Sequence, residues 1–95
     1  MFDINLINKR YFNIKIGEIT LDVAPPKIKT LKKIVSLSKE RNEDALSEAI
    51  ILILSKNKTG YIVPTDVIDE LDMDQYNGIL AEFFKWIGEV KSDPN

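Results

Sequence analysis

Five carboxylates fall within nine residues in the stretch DVIDELDMD (66–74), a density that would suit a bound metal ion or a pair of acids working in general acid–base chemistry. Calcium loops of the EF-hand kind need oxygen ligands at fixed alternate positions around a glycine that makes the sharp turn, and this stretch has neither the spacing nor the glycine. Asp66, Asp72 and Asp74 stand instead where helix starts favour acids, because unpaired N–H groups make that end of a helix positive. They are read as caps and solvated surface. Nucleophilic chemistry has even less to work with, since the chain contains no histidine and no cysteine. That removes the usual general base, the commonest metal ligand, thiolate nucleophiles and sulfur-bound zinc together. A serine nucleophile would then need a lysine base in a defined pocket, and Ser36, Ser38, Ser47 and Ser55 show no such context. Glycines 17, 60, 78 and 88 are scattered, so no phosphate-cradling loop forms. The expectation is a protein that is not an enzyme and uses no cofactor.

The lysines pose a different question. PPKIKTLKKI (25–34) opens with two prolines that announce a helix, then loads its first turns with positive charge at the end the helix dipole disfavours. Each lysine close to that end costs roughly 0.3–1 kcal/mol at low ionic strength. A solvated face needs no partner. A nucleic-acid surface would bind phosphates by counterion release, but the chain is acidic overall, at −2, and no aromatics interleave with these lysines. A docking face for an acidic protein partner, or for the acidic half of a neighbouring copy, suits the uneven charge. Residues 1–41 hold nine basic and four acidic side chains, net +5, whereas residues 42–95 hold four basic and eleven acidic, net −7. Lys29, Lys32 and Lys33 are the candidate contacts on that face.

Pattern alone locates the elements that must carry these residues. A chain of 95 residues makes one domain, 1–95, with a single core, and 44 % apolar with 29 % charged residues is the composition of a folded protein rather than a disordered one. In YFNIKIGEITLDV (11–23), Phe12, Ile14 and Ile16 alternate with polar residues, as do Ile19, Leu21 and Val23, around a two-residue Gly17-Glu18 loop. Pairing Ile16 with Ile19, Ile14 with Leu21 and Phe12 with Val23 puts all six apolar side chains on one face, which helices must cover. Phe2, Ile4 and Leu6 also alternate and form either a third strand or a loosely docked tail.

Pro26 suits the first position of a helix over about 26–40, with Ile28, Leu31, Ile34, Val35 and Leu37 as its buried stripe and Lys29, Lys32, Lys33 and Lys39 opposite. Asn42 ends that helix and caps the next, about 43–56. Within it AIILIL (49–54) is apolar on every side. Such a run can be a buried strand, but the acidic start and the lysines after it predict helix. A helix of this kind is either the centre of the domain or meets another molecule, and in the second case Ile51 and Leu54 are its contacts. NKTGYIVP (57–64) reads as a turn with an extended piece that joins the hairpin edge, and Thr65 as the cap of a short helix over 65–71. Asp72 and Gln75 have the spacing of a capping box for a last helix over about 73–90. Its stripe is Tyr76, Ile79, Leu80, Phe83, Ile87 and Val90; Phe84 and Trp86 lie on the margins, where aromatics serve as interface anchors. The expected fold is α+β and mostly helical: an N-terminal β-hairpin packed by about four helices.

No apolar run approaches ~18 residues, and the N-terminal MFDINLINKR carries an acid where a secretory signal has basic residues, so a cytoplasmic protein without a membrane partner is expected. The order KRYFNIKIGEITLDVAPPKIKTLKKI (9–34), then an apolar helix, then FFKWIGEVKSDPN (83–95) resembles the short tail assembly chaperones of long-tailed bacteriophages and prophages, especially those of Gram-positive hosts. The likeness spans most of the chain in layout. It implies a small, largely helical protein of the host cell cytoplasm that binds the tape measure protein during tail morphogenesis and is not kept in the finished virion. It also implies a longer, frameshifted form of the same chain as a further partner, with which a chain ending soon after its last helix is compatible. The family offers no agreed binding motif, so Lys29, Lys32, Lys33, Ile51, Leu54, Phe84 and Trp86 rest on the physical reading alone; the charge split adds self-association. The competing expectations are a nucleic-acid-binding regulator using helix 26–40 and a structural tail or head completion protein.

Overall fold

Alternation decides the first element. In the computed structural model, which describes residues 1–4 and 10–88, β1 (Phe12–Ile16) and β2 (Ile19–Val23) pair antiparallel with Ile16 facing Ile19, Ile14 facing Leu21 and Phe12 facing Val23. Gly17 takes φ 59°, the left-handed backbone that a two-residue turn demands. Ile16, Leu21 and Val23 are buried on the apolar face. On the opposite, polar face the Asn13 side-chain amide donates to the carboxylate of Asp22 across the strands. The sheet has two strands among the described residues, and Phe2 and Ile4 are exposed, so of the two alternatives for this segment residues 1–4 do not form a third strand. Leu6 lies outside the described residues.

The first helix, α1 (Ile28–Glu40), starts two residues later than the prolines suggest, and Pro26 is not its first residue. Lys27, at φ −64° and ψ 156°, is the extended cap residue. The run 24–27 stays extended while the Ala24 N–H donates to the Lys56 carbonyl and the Lys58 N–H to the Asp22 carbonyl, each at 2.8 Å. Asn57 thereby bridges Val23, so it is the turn after the second helix, residues 56–58, that joins the hairpin edge, and not the extended piece that follows it. Ile34 is fully enclosed and Leu31, Val35 and Leu37 are half-buried, but Ile28 is 67 % exposed and does not belong to the buried stripe. At 100° per residue it points about 120° away from Ile34.

Arg41 ends α1 in the left-handed conformation, φ 60°, and the Asn42 side chain accepts from the Ala45 N–H at 2.7 Å, so α2 (Glu43–Ser55) begins at once. Ala45, Leu46, Ala49, Ile50, Ile53 and Leu54 are buried along it, and α1, β2 and the two later helices, Thr65–Asp69 and Met73–Gly88, all pack against it. AIILIL is therefore helix, apolar nearly all round because α2 is the centre of the molecule. The short α3 (Thr65–Asp69) is preceded by Pro64 as its cap residue and has no side-chain cap bond. Thr65 falls inside the first turn instead of capping it, because Pro64 already supplies the extended residue before the helix. The helix stops at Asp69 rather than 71, with the Glu70 N–H bonded back to the Asp66 carbonyl.

The capping box forms as its spacing requires: the Asp72 N–H donates to Gln75 Oε1 and the Gln75 N–H to Asp72 Oδ1, both at 2.8 Å. It opens α4 (Met73–Gly88), which buries Tyr76, Leu80 and Phe83. Val90 and the expected end of this helix lie outside the described residues. The Tyr76 hydroxyl donates to the Ile68 carbonyl, tying α4 to α3. The fold is α+β, mostly helical, with one hairpin and four helices among the described residues. No helix in them is long and apolar enough to cross a membrane.

The two isoleucines of α1 separate by experiment. Urea unfolding of Ile34→Ala should show a loss of about 2–5 kcal/mol, whereas Ile28→Ala should stay within about 0.5 kcal/mol of the parent.

Candidate partner-binding surface

These elements place three kinds of surface residue at separate points of the fold: lysines with an exposed isoleucine, aromatics, and carboxylates. Lys27, Ile28, Lys29 and Lys32 are all exposed at the start of α1, whose first turn contains no acid and whose cap residue makes no side-chain bond to the helix N–H groups. Ile28 and Lys32 are four residues apart and so share a face, with Lys29 beside them. Lys29 and Lys32 make no ion pair among the described residues. Lys33 differs, because its Nζ lies 3.3 Å from a carboxylate oxygen of Glu48 on α2. Both side chains are at least half exposed, which limits the pair to roughly 0–1 kcal/mol, and Lys33 is partly committed within its own chain.

The apolar candidates sort by burial. Ile51 is 39 % exposed and stands at the surface of α2, while Leu54 is 1 % exposed and cannot contact a partner. The expectation for Leu54 is corrected: it lies on the side of α2 that the rest of the core covers. Phe84 is half-buried, edge-on to Phe83 with ring centroids 5.5 Å apart. Trp86, also half-buried, is occupied on several sides. Its ring lies 5.6 Å from Phe12 and 6.0 Å from Phe83, and the Arg10 guanidinium sits 4.5 Å from its centroid. It therefore joins the hairpin to α4 before it can serve any outside molecule.

Arg10 was not singled out by the sequence pattern. It donates from Nη1 to the Trp86 carbonyl at 2.8 Å and from Nη2 to the Ile87 carbonyl at 3.3 Å, where a helix end leaves acceptors without intrahelical partners. An arginine just ahead of a strand has no spacing rule that links it to a helix 76 residues later, so no local signal identifies it.

The carboxylates converge more than their spacing in the chain suggests. Glu43 and Asp44, from the first turn of α2, meet Asp69, the last residue of α3, and Asp72, from the α3–α4 turn, around a cleft of about 410 Å³. No group of three or more acids among the described residues is arranged to hold a metal ion. Because α1 and α2 are joined by the Arg41–Asn42 turn and pair side by side through Lys33 and Glu48, this acidic cleft lies at the far end of the helix pair from Ile28, Lys29 and Lys32. The lysines at the start of α1 and the acids around the cleft are thus separated in space, while Lys39 and Arg41 lie at the acidic end.

Comparison with protein-family models, with curated proteins and with solved structures gives no match for this chain.

Removing the Arg10 clamp should be visible in fluorescence, because Trp86 is the chain's one tryptophan. Arg10→Ala is expected to shift its emission to the red and to lower stability by about 1–3 kcal/mol, from two charge-assisted bonds and one cation–π contact. Unchanged emission and stability would show that Arg10 does not hold α4.

Proposed function

We propose that the protein is a non-catalytic binding module that acts as a phage tail assembly chaperone, associating with the tape measure protein in the host cytoplasm while the tail is built. One observation carries the reading: the start of α1 presents exposed Ile28 beside Lys29 and Lys32, with no acid in that first turn and no ion pair to either lysine among the described residues. An apolar contact flanked by positive charge suits an amphipathic helix that offers a greasy stripe edged with acids. A tape measure protein is a long, mostly helical chain whose apolar stripes would drive aggregation until the tail encloses them. A helper for it must bind weakly at each site, reversibly and in many copies. Ile51, half open on α2, and Phe84, on the margin of α4, add apolar area at other points of the surface.

The acidic cleft supports the same reading from its own side. It gives each copy a negative end that complements the lysine end of another, so copies can gather along one long partner without a strong, permanent interface.

The test is uptake of a tape measure fragment from the same phage genome, followed by static light scattering. The protein should keep the fragment dispersed, and raising salt until the Debye length falls to ~3 Å, near 1 M, should release it. Lys29→Glu with Lys32→Glu should weaken uptake about three- to tenfold while the circular dichroism spectrum stays unchanged. A protein that never takes up the fragment, at any salt, overturns the proposal.

A further inference from the structure

In a hairpin closed by a two-residue turn, alternate residues turn their N–H and C=O groups toward the partner strand, and those between turn them away. In β2 the outward residues include Asp22, and Ala24 continues the pattern. Both are used, since the Lys58 N–H donates to the Asp22 carbonyl and the Ala24 N–H donates to the Lys56 carbonyl. In β1 the outward residues are Asn13 and Lys15, and their main-chain groups have no partner strand among the described residues. β1 is an open edge, the kind of strand that pairs with another chain unless something covers it.

Beside that edge, α4 does not close against the hairpin. A groove of about 500 Å³ runs between them, with Ile14, Ile16, Leu71 and Ile79 supplying apolar surface and Lys15 and Glu82 at its margins. A neighbouring strand needs about 4.8 Å, so the space beside β1 suits one extended segment with apolar side chains at alternate positions. The chain itself carries a segment of the right pattern. Phe2 is 80 % exposed and Ile4 69 % exposed, with Asp3 between them.

We propose that residues 1–4 of a second copy add to the β1 edge as a third, antiparallel strand, in a reciprocal exchange that closes a twofold dimer. The register follows from the pleat: Ile4 opposite Ile14 and Phe2 opposite Ile16 send both apolar side chains into the groove and set Asp3 against Lys15 on the polar face. A slip of one residue would turn Phe2 and Ile4 to water and lose the charge pairing. Asp3 and Lys15 would exchange main-chain hydrogen bonds, satisfying the outward groups of Lys15. A second copy is favoured over the same chain because its own residues 1–4 stand exposed in this fold and do not line the groove. Twofold exchange also closes on itself, so it ends at a dimer and does not grow into a fibre. The proposal is independent of what the lysine surface binds.

Sedimentation velocity across a concentration series, with amide exchange read at Lys15, tests it on the full chain. The expected result is a monomer–dimer equilibrium in which Lys15 exchange slows as the dimer fills. Phe2→Ser with Ile4→Ser, both at exposed positions, should leave the fold intact by circular dichroism and weaken dimerisation tenfold or more, on the order expected for two apolar side chains leaving a groove. Lys15→Asp should also weaken it, and adding Asp3→Lys should restore it. A monomer at every concentration overturns the proposal. So does a dimer indifferent to the Phe2 and Ile4 changes, which would point to another interface. A charge exchange that restores nothing, or slow Lys15 exchange already in the monomer, which would seat the chain's own N-terminus on the edge, overturns it as well.

Discussion

The structure depends on covering one apolar hairpin face. Two strands alone cannot remove Phe12, Ile14, Ile16, Ile19, Leu21 and Val23 from water, and the chain meets that need with α2, a helix able to accept neighbours on several sides. Val23, Leu46, Ile50, Ile53, Leu54, Ile68 and Phe83 are all nearly or fully enclosed, and they come from the hairpin, α2, α3 and α4. Every other element is placed by what remains open on α2. A run such as AIILIL therefore needs no outside partner to explain it: it is apolar nearly all round because it is surrounded nearly all round. The residue that escapes, Ile51, marks where the cover ends.

Magnitudes then answer the puzzle of the lysines at the start of α1. The helix dipole acts within the first turn, and because α1 starts at Ile28 only Lys27 and Lys29 lie that close to its end. At about 0.3–1 kcal/mol each, their joint cost is smaller than or similar to what burial of one large apolar side chain contributes, about 1.5–3 kcal/mol. The core tolerates them easily. Tolerance does not explain why no acid or capping side chain has been placed there, when Asn42 and Asp72 show the same chain capping α2 and α4. Of the four helix starts among the described residues, α1 and α3 lack a side-chain cap bond, and only α1 also lacks an acid in its first turn, a local exception that the proposed surface role would account for.

What could be read from the residues follows a physical line. The hairpin register, the Asn42 cap and the Asp72–Gln75 box depend on side chains a few positions apart, so spacing contains them fully. Ile28 and Leu54 were misplaced because periodicity gives the direction of a side chain around its helix but not which directions other elements reach. Ile28 faces a side of α1 that nothing covers, and Leu54 faces the middle of the core. Pro26 misled for a related reason: its backbone suits a helix start, yet the hydrogen bond from Ala24 to Lys56 holds the neighbouring segment extended. Arg10 and the acidic cleft were invisible because each joins parts of the chain far apart in sequence.

Geometry also decides whether the surfaces compete. The groove beside β1 is lined by β1, the turn after it, Leu71 and α4, with no residue of α1 among them. The acidic cleft draws on α2, the α3–α4 turn and the first turns of α4, and again on nothing from α1. A copy joined to another along the β1 edge therefore keeps Ile28, Lys29 and Lys32 available, and a dimer presents that surface twice. Two weak contacts on one rigid body act on a long partner at a high effective concentration, so total binding rises steeply without either contact becoming tight. Each contact can still open singly, which is what the proposed function would require. A small fold with a well-filled centre and three separate open features on its surface has the form that this kind of reversible, multivalent association requires.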